Sequence, residues 1–165
     1  MCDRQKEKDA TIILISQVRE NLNAGMFGKK FYRTGGKAMD FYTHTVLWLY
    51  TKEKLKKTFR SQERVYGVRT LAKVDRNKVA VPFREVEFPI IFDYGIDNIQ
   101  ACADFLFGPK DKEIGWNNKE MKKSELIDLA NSDDSIYKEL IKETEGEWKY
   151  IEDNIRTKRP KRFGL

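Results

Sequence analysis

Cationic, aromatic and small residues crowd one stretch of the chain, Val18 to Gly36, which reads Val-Arg-Glu-Asn-Leu-Asn-Ala-Gly-Met-Phe-Gly-Lys-Lys-Phe-Tyr-Arg-Thr-Gly-Gly. Arg19, Lys29, Lys30 and Arg33 are interleaved there with Met26, Phe27, Phe31 and Tyr32. Guanidinium and ammonium groups bind phosphate oxygens, and flat or apolar side chains stack on bases. The mixture therefore suits a ligand with anionic phosphates and apolar bases. No helical or strand period is visible, so the stretch reads as a loop. Ordinary connections take about six residues, and spacer sequence is poor in aromatics, so a loop of this kind is expected to do more than connect. Without its ligand it is expected to stay unfixed, because ordering each residue costs about 1–2 kcal/mol of backbone entropy. The competing reading is a plain solvated surface loop.

Other chemistries are missing. A phosphate-cradling loop needs Gly, four residues, then Gly-Lys-Ser/Thr. The nearest approach, Gly35-Gly36-Lys37, has Phe31 where the first glycine belongs and Ala38 where a hydroxyl belongs. His44 is the only histidine, set between threonines, and reads as a packed or edge residue rather than a base. Cys2 and Cys102 lack metal-ligand spacing and read as reduced thiols of a cytoplasmic protein. No metal cluster is expected, and the chain alone is not expected to hydrolyse a nucleotide.

The 165 residues suit one domain with a small appendage, 35% of them charged, as in a soluble protein. No apolar run approaches the roughly 20 residues of a membrane span, and the first ten residues carry no secretory signal. The net charge of +6 is unevenly spread. Residues 52–78 hold ten basic against three acidic side chains, residues 79–155 nine against eighteen, and residues 156–165 five basic ones. A basic first half and a basic tail favour a polyanionic partner.

The elements that must carry these residues follow from composition and period. Residues 1–9 look like the end of a helix. Residues 11–16 read as a strand by their continuous β-branched run, of the kind buried on both faces in a parallel sheet. Lys37 to Tyr42 fits a short helix, Thr43 to Thr51 a strand, residues 52–60 a basic connection, and Arg64 to Val74 another strand. After a charged turn at 75–78, Glu85 to Phe92 alternates cleanly, and Pro89 favours an edge position. Ile96, Ile99, Ala103 and Leu106 keep helical spacing until Gly108-Pro109. From Lys110 a mostly helical module is expected. Ser124 would cap one helix, Asp134 or Ser135 the next, Gly146 would interrupt, and Trp116 would anchor the core. The domains are then 1–107, 108–156 and a basic tail, 157–165.

Several short motifs occur in a fixed order: Ile15-Ser-Gln-Val-Arg19, Gly25-Met-Phe-Gly28, Thr34-Gly-Gly-Lys-Ala38 and Phe41-Tyr42, then Lys73-Val-Asp-Arg-Asn-Lys78, Ala80-Val-Pro-Phe83, Glu87-Phe88 and Tyr94-Gly-Ile96. Together they resemble the C-terminal half of the bacterial or phage RecA recombinase family, from about residue 1 to residue 107 and more faintly to about 156. The resemblance implies an α/β fold: the later part of a RecA-type ATPase core, with a mixed sheet and an antiparallel extension, followed by a small helical domain. It implies a filament on single-stranded DNA, homologous pairing, DNA repair and the DNA-damage (SOS) response. ATP and Mg would serve the full-length family, with neither expected on this chain alone.

By the same resemblance, Gln17 senses the terminal phosphate of the nucleotide, and residues 18–36 form a DNA-binding loop. Arg19 and the amides of Gly35 and Gly36 hold phosphates, beside Met26, Lys29, Lys30 and Arg33. Leu22 wedges between base steps, which costs unstacking energy offset by protein contacts. Phe27 packs on the neighbouring protomer, and Arg76 and Lys78 reach that neighbour's ATP, where cations stabilise a transferring phosphoryl group. Residues 110–156 meet duplex DNA.

Departures stand beside this. The family's phosphate loop, catalytic glutamate and magnesium aspartate would lie upstream of Met1. Arg76 replaces a lysine, Glu20 brings a negative charge into the loop, Tyr50-Thr51 replace a basic pair, and the tail is basic instead of acidic. An assembly module that has lost DNA pairing is the alternative reading, and an ATPase in its own right is a weaker one.

Overall fold

The computed structural model describes residues 11–20, 31–33, 39 and 41–159. Two compact units, 1–46 and 47–165, divide the chain. The architecture is mixed α/β with antiparallel sheets, as expected of a RecA-type fragment.

In the first unit, β1 (Val18–Glu20) pairs antiparallel with β2 (Phe31–Arg33), in the register Val18 to Arg33, Arg19 to Tyr32 and Glu20 to Phe31. The base of the expected loop is therefore a hairpin stem. Three-residue strands are too short to betray a two-residue period in sequence. The expected state of the intervening residues 21–30 lies outside the described residues, as does the expected helix at 1–9. Met39, Phe41 and Tyr42 are helical, as expected of that segment.

Residues 11–17 correct the sequence reading. They are not in a strand, and Ile12, Ile13, Leu14 and Ile15 are 55–98% exposed. A strand buried on both faces exists only where neighbours flank it and layers cover it. The described residues supply neither to this run.

The second unit is built on a four-stranded sheet in the order β3-β4-β5-β6, formed by Thr45–Phe59, Gln62–Asn77, Glu85–Ile91 and Gly95–Ile96. Residues 52–60 are largely strand and not a connection. Arg60 and Ser61 both take positive φ (47° and 62°), the two-residue turn that joins antiparallel strands with the correct twist. Lysines disfavour strands in general, but here carboxylates stand beside them. Lys56 meets Glu63 at 2.8 Å, Lys52 meets Glu87, and Lys73 meets Glu85. Gly67 lies where β4 and β5 approach closely, and a Cβ there would stand 2.6 Å from the carbonyl oxygen of Ile90. Pro89 is fully buried in β5 opposite Arg69, inside the sheet by strand order. Its carbonyl accepts from Asp97 N (3.0 Å), so its missing N–H faces the side where β6 pairs only through Ile90 and Ile91.

Three helices complete this unit: α1 (Asn98–Phe107), α2 (Lys123–Ser132) and α3 (Asp134–Ile155). Asp97 caps α1 by accepting from Gln100 N at 2.9 Å, and Gly108 ends it at φ 88°. Asp133, one residue before those expected, caps α3 by accepting from Ser135 N at 2.8 Å. Ser124 caps nothing, because α2 begins at Lys123. Gly146 does not interrupt α3, since a helix tolerates glycine at about 1 kcal/mol. The module after Lys110 also contains a hairpin, β7 (Glu113–Trp116) and β8 (Lys119–Lys122), turned by Asn117 and Asn118 at φ 49° and 61°. Ile99, Cys102, Ile114, Trp116, Leu126, Ala130 and Leu140 form one buried cluster, with Phe107 edge-on to Trp116. Trp116 is the anchor expected.

A buried ionic knot joins sheet to helices. Asp104 of α1 accepts from Arg69 of β4 (2.9 Å), Lys123 of α2 (2.8 Å) and Gln100 (2.7 Å). Lys123 also donates to the carbonyl of Gly108, and Arg69 to Glu53 of β3.

Candidate nucleic-acid interface

The described part of the Val18–Gly36 stretch is its stem. Gln17 lies exposed in the irregular segment just before β1, and Arg19 is exposed in the middle of β1. Arg33 closes β2 opposite Val18. Leu22, Met26, Phe27, Lys29 and Lys30, with Gly35 and Gly36, lie outside the described residues. An arginine left exposed in the middle of a strand can meet a polyanion without first giving up a burial site. Arg19 makes no ion pair among the described residues.

Arg76 and Lys78 lie in the second unit, two residues apart at the end of β4. Arg76 is half-buried and Lys78 exposed. Between them Asn77 turns the chain, its side-chain oxygen accepting from Val79 N (3.1 Å) and Ala80 N (3.2 Å). The loop they enter is closed at Val74, whose N–H donates to Arg84 O and whose carbonyl accepts from Phe83 N, both at 2.8 Å. Arg84 in turn forks onto Glu152 of α3, Nη2 donating to Oε2 at 2.7 Å and Nε to Oε1. This pairing holds the Arg84 guanidinium above its ordinary pKa and the Glu152 carboxyl below its own. Loop closure and ion pair together fix where Arg76 and Lys78 stand.

The β3–β4 arm is a feature the sequence reading passed over as connection. Lys57 stands over the Tyr66 ring at 4.7 Å and Arg60 over Phe59 at 5.3 Å. The sequence signal was weak: residues 62–74 carry Val, Tyr and Thr, but four of residues 52–57 are lysine and Arg60-Ser61 is not one of the usual hairpin pairs. The arm's charge is partly matched at home. Glu85, Glu87 and Asp104 lie outside residues 52–78 yet pair with Lys73, Lys52 and Arg69 inside them. Among the described residues no three His, Cys, Asp or Glu side chains could hold a metal ion. No described helix is long and apolar enough to cross a membrane.

The family model described as the RecA N-terminal domain matches residues 2–97, more than half of the chain. The chain belongs to the RecA family. Protein RecA of Trichodesmium erythraeum is 38% identical over 94 residues, which is 57% of this chain and 25% of that protein. Protein RecA of Symbiobacterium thermophilum is 41% identical over 95 residues (58% and 26%), and that of Geobacter metallireducens 37% over 112 residues (67% and 32%). The chain thus spans about a quarter to a third of these relatives' length. The matched model is the N-terminal domain, which corrects the expectation of a C-terminal half. Motif order establishes membership of the RecA family, but it does not locate a motif within a longer RecA chain.

Proposed function

We propose that this RecA-family chain binds single-stranded DNA through residues 18–36 and serves homologous recombination and DNA repair, with ATP-dependent strand exchange the work of the complete recombinase. The carrying observation is the β1–β2 stem, which leaves Arg19 exposed at the foot of a stretch bearing Lys29, Lys30 and Arg33 in a chain of this family. Arg19, the three further cations and the amides of Gly35 and Gly36 take phosphates. Leu22 enters a base step, Met26 lies against bases, and Phe27 meets the next protomer in a filament. Residues 108–156 with the basic tail take duplex DNA, in the cytoplasm.

ATP with Mg is the family's cofactor pair. Arg76 and Lys78 suit the anionic edge of a triphosphate, and the side-chain amide of Gln17 suits a donor to phosphate oxygen. The sequence holds no phosphate-cradling loop, so in this reading these three residues act on a nucleotide cradled by other RecA sequence. Bound there, the nucleotide supplies the phosphoryl group whose presence Gln17 reports to β1.

Fluorescence anisotropy of a labelled oligothymidylate at several salt concentrations tests the reading. Affinity should fall with salt at a slope of about −0.7 per phosphate contact, and Arg19→Ala should flatten that slope by about one contact. Salt-insensitive binding, or a slope unchanged when Arg19, Lys29, Lys30 and Arg33 are all alanine, would refute it.

A further inference from the structure

Between Val74 and Arg84 the chain leaves the sheet in a loop that carries Arg76 and Lys78, and its return is strained. Phe83 N donates to Val74 O and Val74 N to Arg84 O, so two residues stand opposite one, the pattern of a β-bulge. Phe83 fills the first bulge position, at φ 65°. Glycine takes that left-handed conformation freely, whereas a Cβ crowds the backbone there and a bulky residue is an outlier. Such strain persists only where the surrounding structure imposes it.

Burial does not impose it. Phe83 is 68% exposed and Val79 76%, so apolar packing does not offset the backbone cost. The constraint comes from the next residue. Arg84 forks onto Glu152 of α3, whose side chain is only 16% exposed. Two parallel charge-assisted bonds fix direction as well as distance. On the other side, Pro82 fixes its own φ and restricts Val81. A backbone turn at Phe83 therefore swings a stiff strut and is not absorbed beside it.

We propose that Glu152 is a positioning residue for Arg76 and Lys78: through Arg84 it holds Phe83 in the strained bulge, and without it the loop relaxes and the two cations leave their places. The long helix α3 thereby sets where that pair points. Its use in presenting them to phosphate rests on the nucleotide-facing reading of Arg76 and Lys78. The latch itself is read without nucleotide or DNA, so either can fail alone.

Amide hydrogen exchange of the isotope-labelled 165-residue chain, followed residue by residue by NMR, tests it. Glu152→Gln and Arg84→Met break the pair from opposite sides. Each should speed exchange at Val74 and Phe83 about tenfold. Thr70 and Phe88, paired farther along the same strands, should keep their rates and so report that the sheet is intact. Phe83→Asn places a residue that tolerates the left-handed region, and it should slow exchange at Val74. Combined with Glu152→Gln, it should return Val74 towards the wild-type rate. A pair with a merely structural role would loosen Thr70 and Phe88 as much as Val74 and would gain nothing from asparagine. Either of those results, or unchanged exchange at Val74 and Phe83 in both single variants of the pair, would overturn the proposal.

Discussion

Replacing Asp104 by alanine is the most searching perturbation of the second unit. Its side chain is 5% exposed, and it faces Arg69 (13% exposed) and Lys123 (9% exposed) at 2.9 and 2.8 Å. The substitution removes the one carboxylate that both cations share, along with the bond from Gln100. Breaking a buried pair from one side costs about 3–5 kcal/mol, because a desolvated charge is left behind. Here each cation keeps one partner, Gly108 O for Lys123 and Glu53 for Arg69, which argues for the lower end, about 3 kcal/mol. Asp104→Asn should recover little of this, since its amide must point a donor at one of two donors. Asp104→Leu with Lys123→Met should cost less than Asp104→Ala, because it removes the more buried of the two orphaned cations and leaves only Arg69, which keeps Glu53. Urea unfolding followed by tryptophan fluorescence and helical circular dichroism measures all four proteins. A loss below about 1 kcal/mol for Asp104→Ala at unchanged m-value would mean that the knot is wet and the reasoning wrong.

Gly146→Ala should stabilise the chain by up to about 1 kcal/mol, since the residue sits inside α3 and an added Cβ meets nothing within 4 Å; a lowered urea midpoint would refute this. Burial pushes the Cys102 thiol above its ordinary pKa, against a lesser opposing effect from a hydrogen bond with Thr144, so Cys102 should resist alkylation in the native protein and react on unfolding, as peptide mapping of the alkylated chain would read; equal labelling of Cys102 in both states would refute it. The Glu152 carboxyl is depressed first by its hydrogen bond with Arg84. Its contribution is therefore present above the unfolded carboxylate pKa and lost as pH falls through the lower folded value. Arg84→Met should flatten the acid limb of the stability profile, measured by urea midpoints across the acid range, and an unaltered limb would refute the link.

What the sequence made legible was whatever local chemistry decides. The helix at residues 98–107 announced itself through apolar spacing and the Gly108-Pro109 stop, and Trp116 through its size. Errors arose where a partner decides. Lys52 to Lys57 read as a connection because lysine is a poor strand former, yet Glu63 and Glu87 stand beside them. Asp133 was overlooked because three capping residues run together at 133–135, and only backbone geometry selects among them. The Asn117-Asn118 turn was a readable hairpin signal that passed as part of a helical module. Of the candidate site, Gln17, Arg19, Arg76 and Lys78 could be located by motif. The stem that carries Arg19 could not, because its six residues obtain their shape from pairing rather than from propensity.

The same contrast bears on where a polyanion can bind. Counted along the sequence, residues 52–78 are the most basic segment of the chain, and that count alone would put the ligand there. Folded, Lys52, Lys56, Arg69 and Lys73 each lie within an ion pair, and three of the carboxylates come from β5 and α1. A phosphate arriving at those cations would compete with carboxylates already in place, so each would release fewer counterions than a free lysine does. Arg19 carries no such carboxylate among the described residues. If Arg19→Ala flattens the salt slope while Lys52→Ala leaves it unchanged, the hairpin stem and not the basic arm is the primary contact. The reverse result would return the site to the arm and make the charge count the better guide.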